Sequence, residues 1–75
     1  MQSSEIDELK RSFKDLQERL SKARKKGLDT TILNIKMYSV APKIQLAEVT
    51  LVKSDIEIAK KAIAELNAEL KAIEG

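Results

Sequence analysis

The chain has 75 residues, 14 Lys and Arg against 12 Asp and Glu, and neither Cys nor His. A chain of this length makes one domain with a thin core, burying only about 60% of the surface its unfolded form exposes, and such domains usually gain support from disulfides, a metal or a second subunit. The absent residues close the first route and remove thiolate and imidazole from metal binding and catalysis, so no cofactor or metal is expected, an enzyme is not expected, and self-association remains as the source of extra stability.

The net charge of +2 is unevenly spread. Residues 1–27 carry eight basic and five acidic side chains, residues 28–53 three and two, and residues 54–75 three and five. The two ends are therefore electrostatically complementary. The N-terminus runs from Met1 to Glu5 into charged residues with no apolar core of a signal peptide, and Lys36, Lys43, Glu48 and Lys53 interrupt the most apolar stretch, so no membrane span is expected and the chain reads as soluble and cytoplasmic. Few Asn and Gln beside many Ile, Lys and Glu resemble the composition of a thermophile's protein.

The first element is predicted as a helix over about 4–26. Ile6, Leu9, Phe13, Leu16, Leu20 and Ala23 recur at spacings of 3, 4, 3, 4 and 3, the a/d stripe of a coiled coil. Ser3 or Ser4 can cap it, acidic Glu5, Asp7 and Glu8 sit near its positive dipole end, and Gly27 stands where a C-terminal left-handed residue belongs. Asp7 with Arg11, Asp15 with Arg19 and Glu18 with Lys22 are acid-to-base pairs four residues apart.

Residues 28–52 form an apolar middle segment in which 14 of 25 residues are hydrophobic. Asp29 is a candidate N-cap for a helix carrying Ile32, Leu33, Ile35, Met37, Ser39 and Val40 and ending near Ala41. Pro42 would then open a second short helix, with Ile44, Leu46, Ala47 and Leu51 packed inward and Thr50 to Lys53 as the link. The alternative is an α+β fold with a short central hairpin, because Leu33 to Met37 alternates with period two, although the Ala41-Pro42 turn lacks Asn-Gly or Asp-Gly chemistry.

The last element is predicted as a helix over about 55–74. Ser54-Asp55-Ile56-Glu57 spells a capping box, and Ile56, Ala59, Ile63, Leu66, Leu70 and Ile73 repeat the 3-4-3-4-3 spacing. The expected fold is all-α: a small antiparallel helical bundle of two long terminal helices with the Pro42-interrupted segment packed across them, completed by dimerisation.

For function this pattern points to a small non-catalytic protein–protein interaction or assembly module, self-associating as a dimer or binding another protein. Its contact set is Ile35, Met37, Tyr38, Val40 and Ile44, with Met37 and Tyr38, otherwise core residues, at the centre where residues 28–52 are not fully covered within the monomer, since a Tyr next to exposed apolar residues is a typical interface anchor. The alternative is nucleic-acid binding through Arg19, Lys22, Arg24, Lys25 and Lys26, which could contact phosphates but equally complement the negative end of the helix dipole. The carboxylate sets Asp7/Glu8 and Glu65/Glu69 fall on solvent faces and read as helix surface rather than as acid–base pairs or cation ligands.

Overall fold

A computed structural model describes residues 2–75, with side chains from residue 4 onward. Three helices, α1 (Gln2–Lys25), α2 (Thr31–Thr50) and α3 (Lys53–Glu74), pack into a bundle of about 39 × 18 × 16 Å, and no strand occurs among the described residues. The central hairpin alternative is thus set aside.

Both terminal helices bury the stripes that their spacing marks. Ile6, Leu9, Leu16, Leu20 and Ala23 of α1 and Ile56, Ala59, Ile63, Leu66 and Leu70 of α3 are buried, while Phe13 and Ile73 are half-buried against the same core. Of the three acid-to-base pairs expected along α1, Asp15–Arg19 closes, at 3.5 Å. Helix α1 ends in a Schellman motif at Gly27 (φ +88°): the Leu28 amide donates to the Ala23 carbonyl (3.1 Å) and the Gly27 amide to the Arg24 carbonyl (3.0 Å). At the other end α1 has already begun at Gln2, so Ser4 lies inside the helix rather than capping it. The Ser3 side chain lies outside the described residues.

The middle segment departs from expectation. It is one helix of 20 residues that runs through Pro42 instead of breaking there. An interior Pro costs about 3 kcal/mol, because it has no N–H for the carbonyl four residues back and its ring crowds that carbonyl. Here the ring lies on the exposed side of α2, so the inward residues on both sides of it, Met37 and Val40 before and Ile44 and Ala47 after, stay in register on the core. Burying four such side chains outweighs one missing hydrogen bond. Asp29 sits one residue before the N-cap, Thr30, yet its carboxylate still accepts from the Thr31 amide (3.1 Å), and that bond holds the Asp29 carboxyl below its usual range. Thr30 is buried, and its hydroxyl oxygen accepts from the Asn34 side-chain amide at 3.2 Å.

The turn between α2 and α3 is two residues, left-handed Leu51 (φ 55°) and extended Val52. The Thr50 hydroxyl ties it, accepting from the Val52 amide (3.2 Å) and donating to the Asp55 carboxylate (2.7 Å). Helix α3 therefore starts at Lys53 with Val52 as its N-cap, and no side chain caps it. The Ser54/Glu57 capping box does not form, because Ser54 is already inside the first turn.

Because α2 spans the full bundle, the chain returns to its starting end before α3 begins. Early α1 meets late α2 through the Lys10–Glu48 ion pair, and early α2 meets late α3 through Lys36–Glu69. The terminal helices consequently run parallel: Glu5 pairs with Lys60 (2.9 Å), and Arg19 with Glu74 (2.7 Å). The expected antiparallel pairing of α1 with α3 required a middle segment too short or too folded to cross the bundle, and a 20-residue helix crosses about 30 Å.

Candidate interaction surface

Helix α2 is apolar on two opposite sides. Its inner side carries Leu33, Met37, Val40, Ile44 and Ala47, all buried at 6% exposure or less. At 100° per residue these five lie within about 40° of one direction. The opposite side carries Ile32, Ile35, Tyr38, Pro42, Leu46 and Val49, exposed to solvent along the length of the helix. Their exposures are 67% for Ile32, 63% for Ile35, 80% for Tyr38, 52% for Leu46 and 82% for Val49. Exposed apolar residues scattered singly are ordinary, but a continuous stripe is not.

The five residues expected to make contacts divide between the two sides. Met37, Val40 and Ile44 belong to the core of their own bundle and lie off the outer side of α2. Ile35 and Tyr38 remain on the outside. Leu46, expected to pack inward, is half exposed instead, as is Leu51 in the turn. Ile32, Leu46 and Val49 therefore join Ile35 and Tyr38 as surface residues. The signal for them is present in the sequence, since Ile32, Ile35, Ser39, Pro42, Leu46 and Val49 are themselves spaced 3, 4, 3, 4 and 3.

Polar residues border the stripe. On the side toward α3, Lys36 is paired with Glu69, whereas Lys43 makes no ion pair among the described residues. Toward α1, a groove of about 450 Å³ lies between the helices, lined by Phe13, Gln17, Met37 and Tyr38 among others. Tyr38 forms part of both the groove and the stripe and is 80% exposed.

The basic end of α1 separates into two parts. Arg19 is engaged within the chain, donating to Glu74 (2.7 and 3.2 Å) and to the Asn67 side-chain Oδ1 (2.6 Å), and lying 3.5 Å from Asp15. The hydrogen bonds to Glu74 raise the Arg19 pKa above its usual value, and the same bonds from Arg19 hold the Glu74 carboxyl below its usual range. Lys22, Arg24 and Lys25 are exposed in the last turn and Lys26 just beyond it, where cations complement the helix dipole. Lys26 also contributes to lowering the Glu74 pKa. Asp7, Glu8 and Glu65 lie on exposed faces, and Glu69 pairs with Lys36.

Among the described residues no helix is long and apolar enough to cross a membrane. Comparison with protein-family models, with curated proteins and with solved structures finds no match to this chain.

Proposed function

We propose that this protein works by contact, as a small non-catalytic protein–protein interaction and assembly module that self-associates through the outer face of α2. One observation carries the reading: a helix with its inner side fully used by its own core presents a second apolar stripe, Ile32, Ile35, Tyr38, Leu46 and Val49, to solvent. Patches of this kind, rimmed by polar residues, mark interaction surfaces. The chemistry of the chain supports the same class, since it holds neither thiol nor imidazole. Nucleic-acid binding by the basic end is the weaker reading, because Arg19 is committed to Glu74 and the two aromatic residues, Phe13 and Tyr38, lie beside the α1/α2 groove.

Sedimentation equilibrium across the micromolar range tests the proposal. The wild-type chain should sediment as more than one copy, and replacing Ile35 and Val49 by Ser should return it to a single copy with its helical circular dichroism unchanged. A wild-type chain that stays a single copy throughout that range overturns self-association.

A further inference from the structure

We infer that the outer face of α2 is occupied by the same face of a second copy, the two α2 helices lying antiparallel about a two-fold axis that passes between Ser39 and Pro42; this rests on the self-association proposed above and specifies its geometry.

The register of the stripe supports the arrangement. Ile32, Ile35, Ser39, Pro42, Leu46 and Val49 are symmetrical about the midpoint between residues 40 and 41. Running a second copy in the opposite direction across that midpoint sets Ile32 against the partner's Val49, Ile35 against the partner's Leu46, and Ser39 against the partner's Pro42. Ile32, Ile35, Leu46 and Val49 then each meet a large apolar residue, Tyr38 flanks the seam on the edge toward α1, and the two smaller residues meet at the crossing, where the helices come closest. Both α1 and α3 pack on the opposite, inner side of α2, so neither obstructs the approach.

Orientation follows from which side chains share a layer. In a parallel pair Ile35 and Val49 would each face their own copy at d positions, where two-stranded parallel pairs prefer Leu over β-branched residues. The antiparallel pair mixes a and d positions in every layer and avoids that conflict. It also opposes the two helix dipoles. Along the edge toward α3, which meets itself across the axis, Lys43 comes near the partner's Lys36, whose charge is already offset by its ion pair with the partner's Glu69.

The area is adequate for a pair of this kind. Ile32, Ile35, Tyr38, Leu46 and Val49 together expose on the order of 600 Å² per copy, so their full burial would reach the lower edge of the roughly 600–1,000 Å² per partner in stable interfaces. A reversible dimer is expected.

Because the chain has no Cys, introduced thiols report on this contact alone. Ile32→Cys and Val49→Cys place thiols at positions 67% and 82% exposed, where the fold of the single chain does not depend on the native side chain. Oxidation of an equal mixture should give mainly disulfide-linked pairs that join one variant to the other, while each variant oxidised alone should give little, because a disulfide requires Cα atoms about 4.4–6.8 Å apart. Abundant disulfide dimer from either variant alone would establish a parallel pair and overturn the antiparallel register. A wild-type chain that dimerises in sedimentation while no combination cross-links would overturn the α2 interface but not self-association. A single-copy wild-type chain overturns both.

Discussion

The two sides of α2 can be separated by paired substitutions two residues apart, Met37→Ala and Ile35→Ala. Both replace a large apolar side chain by the best helix former, so the change in helix propensity is small and of the same sign in each. Their surroundings differ tenfold: Met37 is 6% exposed and Ile35 63% exposed. Truncating a buried Met costs about 2–5 kcal/mol through lost transfer energy and the cavity left behind. Ile35 retains only about a third of the roughly 1.5–3 kcal/mol that full burial would contribute, so its truncation costs about 1 kcal/mol at most. In a domain of this size 1 kcal/mol moves the melting temperature by about 4–8 °C. Thermal unfolding followed by circular dichroism, at concentrations dilute enough for a single copy, should therefore show Met37→Ala melting about 10 °C or more below wild type and Ile35→Ala within a few degrees of it. At concentrations where copies associate, Ile35→Ala should fall further behind wild type, because only wild type gains from binding. Equal losses for the two variants in dilute solution would refute the assignment of Ile35 to the outer side.

Pro42→Ala should raise stability by about 1–3 kcal/mol, since α2 is continuous through residue 42 and Ala restores the missing amide, with part of the gain offset by a more flexible unfolded chain; an unchanged or lower melting temperature would mean that α2 is not continuous there. Glu74 gives the pH dependence. Its carboxyl is held below the ordinary 4.5 in the folded chain, chiefly by hydrogen bonds from Arg19, and returns to the ordinary value on unfolding. The folded state thus favours the ionised form, so the contribution is complete above the ordinary value and is lost as pH falls through the lower, folded-state value. Glu74→Gln should accordingly show a shallower loss of stability on acidification than wild type, and identical acid limbs would count against the Arg19–Glu74 contact in solution.

How far the sequence reaches can be followed residue by residue. In α1 and α3 a single apolar stripe alternates with charged residues, so period and face are both legible, and every stripe residue from Ile6 to Ala23 and from Ile56 to Ile73 is buried or half-buried. Gly27 is legible for a related reason, because only a residue without Cβ takes a positive φ cheaply. Residues 28–52 are harder, since two stripes on opposite sides of one helix cancel the asymmetry that reveals a helical period. Apolar content then shows a wish to be buried but not on which side, which is why Met37, Val40 and Ile44 read as contact residues when they are core. Pro42 adds to the difficulty. A Pro normally ends a helix, and only the tertiary placement of its ring on the outer side allows this one to continue. The Ser54 capping box misleads for a local reason: the Thr50 hydroxyl ties the turn to Val52 and Asp55, and the helix starts at Lys53, one residue ahead of the box.

If copies associate through α2 as proposed, its two-sidedness links folding to association in a way that a separate docking site would not. Its inner residues fasten α1 and α3, and its outer residues are fixed to the same backbone. Any change that tilts α2 on the core, such as truncation of Leu33 or Ile44, must displace Ile35 and Leu46 on the far side as well. Association in turn stabilises only the folded bundle, because an unfolded chain presents no stripe. With a thin core and a proposed interface near the lower limit of area, neither contribution would dominate, so stability and self-association should rise and fall together along a series of inner-face variants. Inner-face variants that lost stability while dimerising as tightly as wild type would show that the contact surface lies elsewhere than on α2.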